Sequence, residues 1–541
     1  MASRSRPHDR SAWTAIAIGP VALLLVALIR TAWLSDDAYI SFRTADNILH
    51  GFGPVWNVGE RVQAFTHPLW LMLCTGAFAL TGNVFYTAIA IGIILTLACA
   101  VLIATRLATT SWTLLACFAA MLSSKMFIDF STSGLENPLT HVLVLLFVWR
   151  WWEEPVGSQR TLRLSVLAGL CLLNRVDTVF LLAPALAYEA WRLGLRETLK
   201  PMLLGLLPLA AWEMFSLFYY GALFPNTAYA KLNSHMTAAT EIQRGLDYIV
   251  RTITGDPATL PVILLAVYAI PKDRRQLDWP LVAGMMLHAL YVVRVGGDFM
   301  MGRFFTPSLM IAVALLSRAR WANNAPVAVV TLSTIVFTGL LAPWEPALLS
   351  GYGYVGLDNL FHGQHDEVPR DNGRYLFVRG VMDERREYYG VTGLLSAPPG
   401  PIMPDYDWSR DGLRLRAGGR QVVVRKFIGM VGYFAGPDVH IIDRLALSEP
   451  LLARLPGGSN TSIVGHLPRD VPPGYVETLE TGANHIADPD LASYYDRLRL
   501  VTAGPLWSTD RVATVFRLLT GRYDESLARY VAKSGPPSET D

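Results

Sequence analysis

Residues 12–38 read AWTAIAIGPVALLLVALIRTAWLSDDA, an apolar run that ends directly in a pair of acidic residues. The apolar part, 12–34, is longer than the roughly 7–15 residues of a signal-peptide core, and a membrane-spanning helix needs about 20. Arg4, Arg6 and Arg10 precede it. We therefore expect a retained N-terminal membrane anchor rather than a cleaved signal peptide.

The chain as a whole is unusually apolar. Hydrophobic residues make up 52% of its 541 residues and charged residues only 17%, whereas soluble domains carry about 25% charged residues. With a mean hydropathy of +0.32, this composition predicts a polytopic membrane protein. The formal net charge of +2 does not suggest nucleic acid as a partner. The four cysteines lie in apolar stretches and form neither a disulfide framework nor a CxxC metal motif: Cys74, Cys99, Cys117 and Cys171.

The apolar runs predict about eleven membrane spans. They lie at 12–34, 84–105, 111–128, 137–152, 161–174, 178–191, 201–220, 257–270, 279–295, 304–317 and 324–342. A further run at 67–80 is interpreted as lying along the membrane surface, because every cytoplasmic loop then carries positive charge, as the positive-inside rule requires. This topology makes the N-terminus cytoplasmic and the C-terminal region extracytoplasmic.

Two domains are expected on this basis. Residues 1–342 form a transmembrane module, and residues 343–541 form a soluble domain on the outer face. Within the second region, the runs at 421–425 and 439–442 have the composition of strands. We therefore expect the outer domain to be α/β.

The loops assigned to the outer face carry both acids and bases near the ends of spans. Ionisable groups at membrane depth cost about 2.5–3.5 kcal/mol or more, so a cluster of them near one interface is a functional-site hypothesis. A carboxylate there can accept a proton from a hydroxyl group, and an arginine can hold a phosphate. The alternative is that these residues form salt bridges that tie loops together. The candidates are Asp36, Asp37, Arg43, Glu136, Arg175, Asp177, Lys231, Asp298 and Arg303.

Several short motifs follow one another in these loops. They read SDDAYISFR at 35–43, GFGPVWNVGER at 51–61, THPLW at 66–70, TSGLE at 132–136, NRVD at 174–177, FPNTAYAK at 224–231, GGDFMMGRF at 296–304, VHIIDRLAL at 439–447 and GH at 465–466. Their order and spacing resemble the GT-C glycosyltransferases, and within these the bacterial cell-wall terminal beta-(1->2) arabinofuranosyltransferases, including relatives described as flagellar motor control proteins.

This resemblance implies a fold and a reaction. The fold is an all-α polytopic membrane module of GT-C type, with surface-lying helices in the first outer loop and a C-terminal soluble domain. The enzyme would move a sugar, arabinofuranose, from a polyprenyl-phosphate donor to a cell-envelope glycan at the outer face of the plasma membrane. A loop carboxylate, Asp36 or Asp37, would act as base in one inverting displacement. No cofactor is implied, and no metal is predicted because the first loop lacks a DxD triplet.

Each site residue also has a structural interpretation. Asp36 or Asp37 could cap the helix that follows, and Arg43, two helical turns after Asp36, could form an ion pair. His67, which precedes a proline at the start of an apolar helix, is more often structural than catalytic. The motif at 224–231 adds further candidate substrate contacts, which are Asn226, Tyr229 and Lys231.

Two other functions remain open at this point. A GT-C enzyme that uses a different lipid-linked sugar would need the same acids and arginines. A non-catalytic membrane protein that supports a flagellar motor or polysaccharide assembly would tolerate changes in the loops. A secondary transporter is disfavoured, because the chain shows no repeated halves.

Overall fold

The computed structural model describes residues 10–232, 236–270, 274–340, 377–378, 380–397, 400–458 and 465–534. Most of these residues are helical. Helices α1–α17 cover Arg10–Thr31, Asp36–Leu49, Pro68–Thr81, Val84–Leu102, Ser111–Ser123, Lys125–Phe130, Asn137–Glu153, Ser158–Asn174, Thr178–Leu193, Leu195–Gly205, Leu207–Tyr219, Asn226–Leu232, Ala238–Gly255, Thr259–Tyr268, Arg275–Arg294, Thr306–Leu316 and Ala325–Leu340.

The C-terminal part of the chain is more mixed. Helices α18–α24 cover Glu384–Thr392, Asp407–Ala417, Gly429–Ala435, Tyr475–Thr481, Pro489–Ala503, Thr509–Leu519 and Asp524–Ser534. The strands are β1 (Phe377–Val378), β2 (Val381–Met382), β3 (Gln421–Arg425) and β4 (Val439–Asp443). The strands predicted at 421–425 and 439–442 are therefore confirmed.

Every apolar run predicted as a span lies largely on helix. By length and composition, two described helical stretches could cross a membrane alone, Trp13–Thr31 and Val84–Leu107. The number rises to four if each of two bent helix pairs counts as one span, and three further apolar helices are shorter than 18 residues. The chain is thus a mostly helical membrane protein.

The chain folds into two compact units, each built from three segments. Unit 1 comprises residues 1–35, 85–208 and 238–399, and unit 2 comprises residues 36–84, 209–237 and 400–541. This grouping differs from a division after residue 342, because two early segments belong with the C-terminal region. The predicted boundary itself falls outside the described residues.

Unit 1 is organised around α16. Every residue from Thr306 to Leu316 is buried, as expected for a helix that is apolar on all sides. It packs against α5, α7 and α14 within the unit. The predicted span at 304–317 is therefore a central helix of this unit.

A sharp bend in unit 1 contains a buried carboxylate. Helices α13 and α14 meet at 95°, and Asp256 lies buried at the break. Its Oδ1 accepts the backbone N–H groups of Ala258 and Thr259, both at 3.1 Å. Its Oδ2 accepts the backbone N–H of Met126 at 2.9 Å. Asp256 thus caps the start of α14 and attaches it to α6.

Unit 2 joins the first loop to the C-terminal region. Helix α2 packs against α3 and α20, and the rings of Phe42 and Phe78 are 5.2 Å apart. Strands β3 and β4 are parallel, with Gln421 opposite Val439 and Arg425 opposite Asp443. The run predicted to lie along the membrane surface at 67–80 is helix α3. These contacts place the acidic start of α2 beside elements of the C-terminal region.

Candidate functional site

Asp36 opens α2 and is 6% exposed. Its Oδ1 accepts the backbone N–H of Met430 at 2.7 Å, and its Oδ2 accepts that of Gly429 at 3.2 Å. Burial raises the pKa of this carboxyl to about 7, and the nearby Asp37 adds to the rise while the two N–H bonds oppose it. Asp36 therefore acts as a cap for α20, with both of its oxygens in use.

Glycine at 429 is required for this contact. A Cβ atom there would lie 1.9 Å from the carbonyl oxygen of Asp36 and 2.6 Å from its carboxyl carbon. Any larger residue would push α20 away from the start of α2. Asp37, the next residue, is partly exposed, and adjacent residues in a helix point in different directions. The two acids thus have different surroundings.

Arg43 is committed to the interior of unit 2. Its side chain is 2% exposed, and its guanidinium lies 4.1 Å from the centroid of the Trp56 ring. It donates to the carbonyl oxygens of Trp56, Gly432 and Val439, each at 2.8 Å. These contacts tie the first loop to α20 and β4. We therefore assign Arg43 a structural role and not phosphate binding.

Two other predicted residues of unit 2 also make structural contacts. His67 lies just before α3, where its Nε2 is 2.7 Å from the Ser41 hydroxyl oxygen. The amide nitrogen of Asn226 donates to the carbonyl oxygens of Ala446 at 2.9 Å and Glu449 at 3.1 Å. Both side chains are buried. His67 fixes the segment that precedes α3, and Asn226 fixes the start of α12.

The other two predicted residues of α12, Tyr229 and Lys231, are more accessible. The Tyr229 ring lies 4.8 Å from the guanidinium of Arg454 and packs against a hydrophobic cluster. Lys231, in the last turn of the helix, is exposed. An exposed ammonium group at this position is able to meet a phosphate or a lipid headgroup.

Unit 1 brings together five predicted residues from three separate loops. Glu136 is fully buried and accepts from Arg175 Nη1 at 2.5 Å and from Arg303 Nη2 at 2.7 Å. Arg175 Nε also contacts Asp177 Oδ1 at 2.9 Å, and Arg303 Nη1 lies 3.8 Å from Asp298 Oδ2. We call these five residues the Glu136 network. The convergence of these loops, expected from the sequence, is present in this unit.

The charges of the Glu136 network limit what it can bind. Three carboxylates face two guanidinium groups, so the network has no excess of positive charge. Burial alone would raise the pKa of Asp177, but the contacts with Arg175 and His288 together outweigh burial and hold the pKa well below its usual range. Arg175 and Arg303 remain 13% and 11% exposed at the side chain. A guanidinium has five N–H donors, so both can still donate to a ligand.

The sequence prediction missed one member of this network. His288 is completely buried on α15, and its Nε2 lies 3.2 Å from Asp177 Oδ2. Its Nδ1 is 3.5 Å from the Ser308 hydroxyl. The sequence does mark this residue, because a histidine stands within the apolar run at 279–295. A polar residue in such a run usually faces a partner.

Unit 1 contains a second buried ionic group, which surrounds Lys125. Lys125 pairs with Asp129 on the same helix and with Asp383 at 3.0 Å. Arg385 Nε contacts Asp129 Oδ1 at 2.7 Å. Lys125 and Asp129 stand out as charges in an apolar stretch, whereas no local pattern marks the residues at 383 and 385 as their partners.

Comparisons with known proteins point in one direction. A protein of Mycobacterium tuberculosis named terminal beta-(1->2)-arabinofuranosyltransferase is 28% identical over an alignment 510 residues long, and the match covers 78% of this chain and 78% of the relative. A protein with the same name from Corynebacterium glutamicum is 33% identical over an alignment 327 residues long, and the match covers 50% of this chain and 46% of that relative. No protein-family model matches the chain, and no solved structure gives a significant match. The resemblance inferred from the motifs is confirmed.

Proposed function

We propose that this chain, which is related to the terminal beta-(1->2)-arabinofuranosyltransferases, is itself a membrane glycosyltransferase that acts on a cell-envelope glycan. The observation that carries the proposal is the similarity to the first relative over 78% of both chains. The donor we assign is a polyprenyl-phosphate sugar with arabinofuranose as the sugar. A membrane enzyme with a lipid-linked donor also accounts for the many apolar helices.

The proposed topology follows the charge pattern of the loops. We assign a GT-C module of about eleven spans, a cytoplasmic N-terminus, and an α/β C-terminal domain on the outer face of the plasma membrane. The positive-inside rule supports this orientation. The helices found along each apolar run are consistent with it.

Within the acidic pair of the first loop, we assign the general base to Asp37. The pKa of Asp36, about 7, would suit a base that works near neutral pH. However, both Asp36 oxygens accept backbone N–H groups and the side chain is 6% exposed. A base must reach the hydroxyl proton that it removes. The partly exposed Asp37 meets this requirement better, and Asp36 then fixes the start of the helix that carries it.

Within unit 1, we assign contact with a phosphate group to Arg175 and Arg303. Arginine binds phosphate through paired, charge-assisted hydrogen bonds. Glu136 holds both guanidinium groups in place with contacts of 2.5 and 2.7 Å, which reduces the entropy lost when a ligand binds. Because the network has no excess positive charge, it suits a singly charged phosphodiester better than a free phosphate dianion.

The chemical step is a single displacement. The carboxylate of Asp37 takes the proton of an acceptor hydroxyl, whose oxygen attacks the anomeric carbon. The bond from that carbon to the phosphate oxygen breaks, and its electron pair leaves with the polyprenyl phosphate. A displacement of this kind inverts the configuration of the anomeric carbon.

The direct test supplies the purified protein with radiolabelled polyprenyl-phosphate sugars and with arabinan or other envelope glycans as acceptors. We expect transfer of arabinose from its polyprenyl phosphate to the glycan. Transfer of another sugar alone would identify a GT-C enzyme of different specificity. Transfer from no donor, with full function of D36N and D37N in a deletion strain, would favour a non-catalytic envelope protein.

A further inference from the structure

Three side chains of unit 2 form a group with mixed donor atoms. They are Glu60 in the first loop, His440 on β4 and Glu449 shortly after β4. One ligand atom from each residue can be chosen so that all three lie within 4.8 Å of one another. His440 Nε2 is 3.9 Å from Glu60 Oε2. Residues far apart in the sequence therefore converge on one point.

The carboxylates of this group are incompletely satisfied. Glu60 is 8% exposed and Glu449 is fully buried. Among the described residues, Glu60 Oε2 and Glu449 Oε2 have no hydrogen-bond partner. Such an atom costs about 1–3 kcal/mol and more when it is charged. These two oxygens therefore mark a place where a partner is missing.

The other contacts of the group leave those oxygens available. The Tyr475 hydroxyl donates to Glu449 Oε1, the opposite oxygen of that carboxylate. The Asn57 amide nitrogen lies 3.3 Å from His440 Nε2 and also donates to the carbonyl oxygen of Ile441 at 3.1 Å. The surrounding hydrogen bonds thus orient the three side chains without occupying Oε2 of either glutamate.

We propose that Glu60, His440 and Glu449 bind a divalent metal ion. Two ligands of one zinc ion lie at most about 4.0–4.4 Å apart, twice a metal–ligand bond of about 2.0–2.2 Å. The distance of 3.9 Å between His440 Nε2 and Glu60 Oε2 is within that limit, and all three ligand atoms lie within 4.8 Å of one another. Two carboxylates with one imidazole favour Mn²⁺ or Zn²⁺ over Mg²⁺ or Ca²⁺, because the latter prefer oxygen ligands alone.

The burial of the group indicates a structural role for the ion. Burial raises the pKa of Glu60 to about 7, with Arg499 opposing the rise, and it raises the pKa of Glu449 well above its usual range. A divalent cation would stabilise both carboxylates in their charged form. It would also join the loop at residue 60 to β4 and the chain that follows. This inference concerns the stability of unit 2 and does not depend on the proposed transferase activity.

The test measures metal binding directly on the full-length protein in detergent. The protein is stripped with EDTA, passed through a desalting column and titrated with Mn²⁺ while electron paramagnetic resonance follows the free ion. We expect one strong site per chain, with nitrogen coupling from an imidazole in the spin-echo spectrum. E60Q and E449Q should each weaken Mn²⁺ binding at least ten-fold. Elemental analysis after Zn²⁺ loading provides an independent count.

Glu477 and His485 provide the matched control. They are the same residue types in the same unit, 3.6 Å apart but exposed, so E477Q and H485Q should bind Mn²⁺ as the wild type does. If the wild type binds neither Mn²⁺ nor Zn²⁺ at one equivalent, or if bound Mn²⁺ shows no nitrogen coupling, the proposal is overturned. The wild-type measurements decide this even if E60Q and E449Q do not fold. Folded E60Q and E449Q with wild-type affinity would overturn it equally.

Discussion

The charge of Glu136 should be worth measurable stability, because it is the shared partner of two arginines. The contact distances are 2.5 Å to Arg175 and 2.7 Å to Arg303, and Glu136 is completely buried. Removing one member of a buried pair costs about 3–5 kcal/mol when the remaining charge is left uncompensated. In E136Q, Arg175 keeps Asp177 at 2.9 Å, and Arg303 keeps Asp298 at 3.8 Å. The compensation is therefore partial, and we expect a loss of about 2–3 kcal/mol.

The assay is thermal unfolding in a mild detergent, followed by tryptophan fluorescence. A loss of this size corresponds to a fall in Tm of roughly 5–10 °C for a large domain. E241Q is the control, since Glu241 pairs with Arg294, which is 61% exposed, and such a pair contributes under about 1 kcal/mol. The double variant E136Q/R303Q should lose less than the sum of the single variants, because the two residues are in contact. If E136Q lowers Tm no more than E241Q does, the network does not stabilise unit 1 and this reasoning fails.

Three further outcomes follow from the first loop and the reaction. G429A should destabilise the protein by more than about 2 kcal/mol, because its Cβ would lie 1.9 Å from the Asp36 carbonyl oxygen. G76A is the control, since a Cβ at this helical glycine would meet open space. It should be neutral or slightly stabilising in the same unfolding assay. The pKa of Asp36 is about 7 in the folded protein, against 3.8 in the unfolded chain. The stability that Asp36 contributes is therefore fully present below pH 3.8 and is lost as the pH rises through about 7. The Tm of the wild type should therefore fall relative to that of D36N between pH about 4 and about 7, and a constant difference would contradict the burial argument. Nuclear magnetic resonance of the product should show an anomeric configuration opposite to that of the donor, and retention would instead require a glycosylated enzyme intermediate.

The sequence predicted the positions of the elements well where periodicity or composition is strong. The apolar runs lie on helices, and the runs at 421–425 and 439–442 are strands β3 and β4. It could not predict the grouping of these elements into units. The association of α2 with α20 depends on Gly429 and on two hydrogen bonds to Asp36, and no local pattern reports a partner almost 400 residues away.

The roles of the candidate residues could also be predicted only in part from the sequence. The Glu136 network was predictable because charged residues at the ends of apolar runs need partners. In contrast, Arg43 looks like a phosphate ligand from its place in a polar loop, yet three backbone carbonyl oxygens accept its N–H groups. The group formed by Glu60, His440 and Glu449 has no spacing signature, since its members come from distant segments. Tertiary contacts decide the role of each of these side chains.

In our proposal, a carboxylate at the start of α2 acts as base in glycosyl transfer, and Asp36 and Asp37 have different roles. The most direct measurement compares transfer rates from polyprenyl-phosphate arabinose for wild type, D36N and D37N, together with their Tm values. We expect D37N to fold and to lose about 10²–10⁴-fold in rate. Near pH 4, where Asp36 of the wild type is uncharged as well because its pKa is about 7, D36N should be destabilised by about 1–3 kcal/mol through the loss of a buried hydrogen bond, and it should retain most of its rate. Full activity of D37N, or loss of activity in D36N alone at wild-type Tm, would show that Asp37 is not the base.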